Sequence, residues 1–381
     1  MTKLQAKFAQ LGKDLNRCFG ERKTVVDGML CAALAGEHVL LLGPPGTAKS
    51  ALTTAFCGQF GDASYFEWLL SKFTAPEELF GPISLEGIKK DVYRRVTTNK
   101  LPEAHIVFLD EIFKANSAIL NSLLTAINER KFHNGGGVVQ LPLEMVVGAS
   151  NELPEGPELE ALYDRFLVRF WVDYQVSAGA FQAMLVGSAR MPAPTMSLDD
   201  WREAQAEVER VAFPQAMVDE LFGLRAKLNK AGVVVSDRRW VKCVRLLKAA
   251  AWLAGDTDVD TEHLSILEAA LWKEPGQAKQ VSELVGQSSG GVVQQAMGIH
   301  ELALSKLQNF PARPKDASEE AKWQTELVVV NRESNRALDQ LRNLSKQAIT
   351  PKKKERIEGL IDSIVGVFGP LREAARQSLG L

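Results

Sequence analysis

The segment that most constrains this chain is Gly43-Pro44-Pro45-Gly46-Thr47-Ala48-Lys49-Ser50, which follows four apolar residues, Val39 to Leu42, and precedes the helix-prone run ALTTAFCGQF. A short apolar run, a glycine-rich turn and a helix start make up one unit of a parallel α/β sheet. In that setting the backbone N–H groups of the turn converge at the positive end of a helix, a geometry that binds phosphate. Lys49 is then placed to reach the β- and γ-phosphates of a nucleotide, and the Ser50 hydroxyl to bind Mg²⁺. Alanine stands at position 48, where glycine is usual before the lysine; a helical backbone there would make alanine free of cost.

Further along, Ile106-Val107-Phe108-Leu109 ends in Asp110-Glu111. A buried strand ending in two acids puts them at the C-terminal edge of a parallel sheet, where ligands bind in such folds. Asp110 is read as holding the Mg²⁺ shell and Glu111 as polarising an attacking water. Alone, the pair would be a strand ending in a solvated acidic turn; downstream of the phosphate loop it reads as the second half of a nucleotide site. The run Met145 to Ala149 then leads into Ser150-Asn151-Glu152. A neutral amide such as Asn151 can orient water against a terminal phosphate without adding charge, although an isolated asparagine would simply cap a turn. In Ala161-Leu162-Tyr163-Asp164-Arg165-Phe166, Arg165 is either a surface ion pair with Asp164 or a charge that reaches a neighbouring subunit's phosphate, with Arg169 as its competitor. Ser236-Asp237-Arg238-Arg239-Trp240 opens a helix, with Ser236 or Asp237 as N-cap, and an arginine there could contact nucleotide across a domain cleft.

With 381 residues the chain exceeds the usual single-domain size, and 46% apolar with 24% charged residues is the profile of a globular protein, so two or three domains are expected. Cys18, Cys31, Cys57 and Cys243 have no CxxC pairing and no histidine at metal-ligand spacing, and read as reduced thiols. The best apolar stretch, 25–42, is interrupted by Asp27, Glu37 and His38, and the N-terminus MTKLQAKFAQ lacks a signal-peptide core, so no membrane span and a cytoplasmic location are expected. A net charge of −2, from 45 basic and 47 acidic residues, provides no broad field for nucleic acid.

Residues 1–175 alternate strand and helix patterns, with strands expected at 39–42, 105–109 and 145–149 and an Asn116-capped helix between them. Two stretches look inserted: 76–99, and 131–143 with Asn134-Gly135-Gly136-Gly137 as a hairpin signal. Residues 176–275 read as an all-α domain, with helices at 181–186, 201–211, 216–228, 237–253 and 262–272. In 276–381 a loosely patterned stretch with a turn at Ser288-Ser289-Gly290-Gly291 precedes a linker at 310–317. Trp323, Leu327, Val330, Leu338 and Leu341, then Ile357, Leu360, Ile361, Ile364, Val367, Phe368 and Leu371, predict two helices packed as an antiparallel hairpin around Thr350-Pro351.

In this order GPPGTAKS, FTAPEELFGP, IVFLDEIFKAN, LLTAINERKF, ASNELPE, ALYDRF and VSDRRW resemble the AAA+ superfamily, and within it the MoxR family, most of all its RavA-type members; the resemblance covers about residues 15–275. It implies an α/β AAA+ P-loop core with a parallel sheet, followed by an all-α lid and a C-terminal helical region. It implies ATP and Mg²⁺ as cofactors: Gly43, Pro44, Pro45, Gly46, Thr47, Ala48, Lys49 and Ser50 form the Walker A cradle, and Asp110 and Glu111 the Walker B pair. Asn151 becomes sensor 1, Arg165 the arginine finger and Arg238, with Arg239 beside it as the alternative, sensor 2. The stretch 76–99 becomes the helix-2 insert, 131–143 a hairpin before sensor 1, and Ala48 fits this family's own loop. Implied further are a hexameric homo-oligomeric ring that remodels or activates protein clients, and often a von Willebrand A-domain partner. RavA carries a β-rich module beyond its lid that docks onto lysine decarboxylase; 276–381 shows helices instead, so that partnership is not carried over. A DNA-translocating or helicase-like motor, a metal-chelatase-type ATPase subunit and a nucleotide-gated scaffold stay open as alternatives. The balanced charge speaks against the first, and intact Lys49, Asp110, Glu111 and Arg165 against the last.

Overall fold

The computed structural model describes residues 2–176, 182, 185, 191, 193–289, 292–308, 310–311, 314, 317–347 and 351–379. Val39–Leu42 forms strand β1, with all four residues buried, as an unbroken apolar run requires when both faces of a sheet are covered. It lies in a five-stranded sheet with β2 (Tyr65–Leu69), β3 (Ile106–Asp110), β6 (Met145–Ser150) and β7 (Val168–Trp171), in the order β2-β3-β6-β1-β7. Every pairing is parallel: Leu42 stands beside Ser150 on one side and Trp171 on the other. Strands β1, β3 and β6 therefore end at one edge, and the residues that follow them, Gly43, Glu111 and Asn151, are brought together there. The inner strands are the three expected from sequence. The outer two, β2 and β7, escaped that reading because Glu67 and Arg169 break their apolar runs.

Helices α1 (Lys3–Cys18), α2 (Lys23–Ala35), α3 (Lys49–Cys57), α6 (Ser117–Glu129) and α7 (Pro157–Arg165) contribute to one hydrophobic core with the sheet. Asn116 caps α6 as expected, its side chain accepting from Ile119 N at 3.2 Å. The insert holds the short helices α4 (Pro76–Phe80) and α5 (Leu85–Lys89). The glycine-rich stretch is a hairpin of β4 (Lys131–Asn134) and β5 (Gly137–Gln140), turning through Gly135 and Gly136, both at positive φ. Asn134 pins this hairpin to the insert, exchanging hydrogen bonds with the Arg95 backbone at 2.7 and 3.2 Å.

The helical region that follows is not a detached body. Residues 1–286 form one compact unit. On α8 (Leu198–Glu209) Trp201 is fully buried, with its ring 4.4 Å from that of Phe60 and its Nε1 donating to the Ala33 carbonyl at 2.9 Å. Then come α9 (Gln215–Lys230) and α10 (Asp237–Ala254), the latter capped by Ser236. The helix expected at 262–272 is a 3₁₀ run over Thr261–Ala269, and the one expected at 181–186 lies outside the described residues apart from Gln182 and Leu185. The stretch read as loosely patterned after 276 is helical as well: α11 (Pro275–Ser289) takes in Ser288 and Ser289, where a turn was expected.

Residues 287–381 form the second compact unit. Its core is built by three helices rather than the expected two. α12 (Val292–Gln308) supplies Ala296, Ala303 and Leu307; α13 (Ala317–Gln347) supplies Leu338 and Leu341; α14 (Pro351–Leu379) supplies Ile357, Ile364 and Phe368. The two expected helical stripes were legible from their spacing, whereas α12 was masked by its glutamines and small residues. Among the described residues, no helix is long and apolar enough to cross a membrane. Cys18, Cys31, Cys57 and Cys243 are all buried thiols.

Candidate active site

The phosphate loop leaves β1 at Gly43, whose N–H donates to the Ser150 carbonyl at 3.2 Å. Gly43 sits at φ +138°, and a Cβ there would come within 2.2 Å of the Val172 carbonyl oxygen, so no other residue fits. Gly46, at φ +78°, meets no atom within 4 Å of a Cβ position, so its left-handed backbone and not crowding calls for glycine. Ala48 corrects the expectation of a helical backbone: at φ 64° and ψ 27° it is left-handed, a conformation that costs a residue with a Cβ about 1–2 kcal/mol. That geometry starts α3 at Lys49 with no side-chain cap, so the N–H groups of its first turn face the loop without a side-chain acceptor.

Lys49 is 7% exposed, and its Nζ donates to the carbonyls of Gly43 and Pro44, both at 2.8 Å, and to Asn151 Oδ1 at 3.2 Å. Burial pushes its pKa below the ordinary lysine value, opposed by the charges of Asp110 and Glu111. Ser50 Oγ lies 3.5 Å from Asp110 Oδ2. A hydroxyl beside a carboxylate is the donor set of a hard cation that keeps most of its water, so these residues fit Mg²⁺. Glycine-rich loop, uncapped helix start and buried lysine together fit a nucleotide's phosphates. Tyr174, which follows β7, donates its hydroxyl to the Pro45 carbonyl at 3.2 Å, and Gln175 Nε2 donates to the Gly20 carbonyl at 3.2 Å, which ties the loop to the α1–α2 connection.

Glu111 also has a left-handed backbone, φ 53°, and starts the 3₁₀ turn Ile112–Lys114. Its Oε1 accepts from Asn151 Nδ2 at 2.7 Å, and its Oε2 stands 3.3 Å from Lys114 Nζ. Lys49, Asn151, Glu111 and Lys114 therefore form a continuous polar chain across the C-terminal edge of the sheet. Lys114 and Tyr174 were missed from sequence. Lys114 could have been found by its spacing, three residues after Glu111 on a turn; Tyr174 leaves no such trace.

The arginines lie at the other edge. Helix α7 runs back antiparallel to the strands, so Arg165 stands where β7 begins. Asp164, its expected partner, faces Arg169 at 3.7 Å and Arg239 at 3.3 Å instead. Arg165 donates to the Ala161 carbonyl of its own helix at 2.9 Å, and its Nε has no partner. Arg169, the competitor for the finger role, is 3% exposed, donates to the carbonyls of Tyr163, Phe166 and Trp272, and lies 3.8 Å from the centre of the Tyr163 ring. Burial and the nearby Arg239 push it below the ordinary arginine value. It is part of the core and cannot reach a neighbour. Arg239 is likewise buried and donates to the carbonyls of Phe166, Leu167 and Ala270. Arg238 is exposed and donates to Asn128 Oδ1, at the end of α6 that borders Gly36, where β1 begins. Arg238, read as a contact to nucleotide across a cleft, thus stands at the sheet edge opposite the phosphate loop.

A parallel sheet in this order, with a phosphate loop after β1, paired acids at the end of β3 and a polar amide after β6, defines a P-loop protein of the AAA+ class. Comparison with known proteins narrows this. A family model described as the MoxR domain in the MoxR-vWA-beta-propeller ternary systems matches residues 6–209, and an AAA lid domain matches residues 216–285. The chain belongs to the MoxR family of AAA+ ATPases. It is 37% identical over 304 residues to an uncharacterized protein of Methanocaldococcus jannaschii, covering 79% of this chain and 80% of that one. A second uncharacterized protein of that organism is 40% identical over 275 residues, 72% of this chain and 73% of its own. Chaperone MoxR1 of Mycobacterium tuberculosis is 27% identical over 166 residues, 42% and 43% of the two chains. A crystal structure from Cytophaga hutchinsonii superposes with a TM-score of 0.61 over 75% of this chain and 94% of that one; at 16% identity it bears on the fold alone.

Proposed function

We propose that this chain is the ATP-hydrolysing motor of a protein-remodelling machine. The observation that carries the reading is the convergence of Lys49, Ser50, Asp110, Glu111 and Asn151 at one sheet edge, beside the glycine-rich loop. Gly43 to Ser50 cradle the phosphates, and Ser50 and Asp110 hold Mg²⁺. When bound, the ion neutralises charge on the phosphate oxygens. Glu111 accepts the proton of the attacking water, and Asn151 orients that water with its amide. Arg165, with donors to spare at the opposite edge, acts on the site of a neighbouring subunit in a homo-oligomeric ring, for which a hexamer is our reading. Any contribution of Arg238 to nucleotide comes across that same boundary.

For partners, the matched family description names a ternary system with a von Willebrand A-domain and a β-propeller. Such a partner, with a protein client, suits this chain; MoxR1, a relative, is named a chaperone. The RavA-type likeness rests on the motifs alone. We place the machine in the cytoplasm. The test is Mg²⁺-dependent ATP turnover by the full chain and two variants. Lys49→Ala should lose ATP binding, whereas Glu111→Gln should bind ATP and lose about 10²–10⁴ in rate. Equal loss of binding in both variants would remove the division of roles.

A further inference from the structure

Glu111 is gripped from two sides. One carboxylate oxygen accepts from Asn151 Nδ2 at 2.7 Å, and the other faces Lys114 Nζ at 3.3 Å. The two partners, one a hydrogen-bond donor and the other an ion pair, sit on different elements, Asn151 just past β6 and Lys114 at the end of the Ile112–Lys114 turn. The left-handed backbone of Glu111 fixes the direction in which its side chain departs, the Asn151 hydrogen bond fixes the rotation of the carboxylate, and the Lys114 charge stands beside the other oxygen, which accepts no hydrogen bond. Only a base held in one orientation can meet a water held in line with a phosphate. Among the described residues Lys114 is the cation that pairs with this carboxylate within 4 Å, and it offsets the repulsion that a carboxylate meets beside phosphate oxygens.

We propose that Lys114 is a positioning residue for hydrolysis, acting through Glu111; this rests on the ATPase reading above. Its side chain is 40% exposed, against 15% for Glu111, and it lines an open cleft of about 850 Å³ with Trp68, Leu69 and Phe73. The turn that carries Phe73, itself 95% exposed, is tied to the same segment, since Asn116 Nδ2 donates to the Thr74 carbonyl at 2.9 Å. Glu111 lines the same cleft, so Lys114 and the catalytic carboxylate form one stretch of its wall.

The test uses the full chain with ATP and Mg²⁺, comparing wild type, Lys114→Met and Lys114→Arg. Lys114→Met should lower kcat about tenfold, a part of the full contribution of a general base, with KM and the affinity for a fluorescent ATP analogue unchanged. Lys114→Arg, which keeps the cation, should restore kcat to within about twofold of wild type. In a Glu111→Gln background, Lys114→Met should change the residual rate no further, because its target is already gone. The proposal is overturned if the loss falls in KM, if arginine does not rescue, if kcat is unchanged or rises, or if the same loss persists in the Glu111→Gln background. A wild-type chain that hydrolyses no ATP would overturn the ATPase reading itself, and this inference with it.

Discussion

The two edges of one parallel sheet hold their charged groups in different ways. At the C-terminal edge the side chains engage one another: Lys49 meets Asn151, Asn151 meets Glu111, and Glu111 meets Lys114. At the opposite edge the arginines divide. Arg169 and Arg239 spend their guanidinium groups on buried carbonyls, while among the described residues Arg165 makes one hydrogen bond within its own helix. The lesson concerns where chemistry can be completed. Groups that contact one another can work within one chain even where one oxygen, Glu111 Oε2, accepts no hydrogen bond, whereas a half-buried arginine with a donor left over and no side-chain partner is placed to find one elsewhere.

The sharpest way to break this contrast is Arg165→Ala. It should lower ATP turnover about 10³–10⁵-fold while ATP still binds, because an arginine finger acts on transition-state charge. Mixing Arg165→Ala with Lys49→Ala subunits should restore part of the rate, since some interfaces then pair an intact loop with an intact arginine. Normal turnover by Arg165→Ala would end the finger assignment. Dead mixtures would mean that Arg165 serves its own subunit or that the ring tolerates no defective member.

The complementary substitution is Arg169→Met, which should act on stability instead. Three buried carbonyls lose a donor, and the midpoint of urea unfolding should reveal about 2–4 kcal/mol of destabilisation. Arg165→Ala should move the same midpoint by less than about 1 kcal/mol. If the two variants destabilise alike, the division between spent and unspent arginines fails.

The smallest effect comes from His38, just ahead of β1 at the arginine edge. Its Nδ1 accepts from Val146 N at 3.1 Å and its Nε2 donates to the Ile127 carbonyl, so the buried ring is neutral. Burial pulls its pKa from 6.5 down to about 3. The unfolded chain then binds a proton that the folded one refuses. The stability it contributes is full above pH about 6.5 and is lost as pH falls from there toward 3. Between pH 7 and pH 5 unfolding should become easier by about 2 kcal/mol from this residue, and His38→Gln should flatten that slope. An unchanged slope would show that other groups control the acid limb.

The C-terminal edge was legible in sequence because its groups follow three buried strands whose apolar runs are unbroken. Where polar residues interrupt the pattern, reading stopped: Glu67 and Arg169 hid the outer strands, and glutamines hid α12. The roles of the arginines were only half legible. Nothing in ALYDRF or VSDRRW tells which guanidinium is buried, since that depends on distant carbonyls: Trp272 for Arg169, and Phe166, Leu167 and Ala270 for Arg239. Ala48 misled for a related reason. A left-handed residue carries no mark in composition, and alanine is the last residue that would be suspected of one.

The four buried thiols have a practical consequence. Burial raises the pKa of Cys57 and lifts Cys31 and Cys243 to about 12, so the reactive thiolate is scarce and hidden in the folded chain. A thiol reagent can modify them only as fast as the helices around them come apart. Each cysteine is then a clock on its own element: Cys18 on α1, Cys31 on α2, Cys243 on α10. Cys57 closes the helix that opens at Lys49, so the slowing of its modification by ATP measures directly, with no assay of turnover, how firmly that helix is clamped.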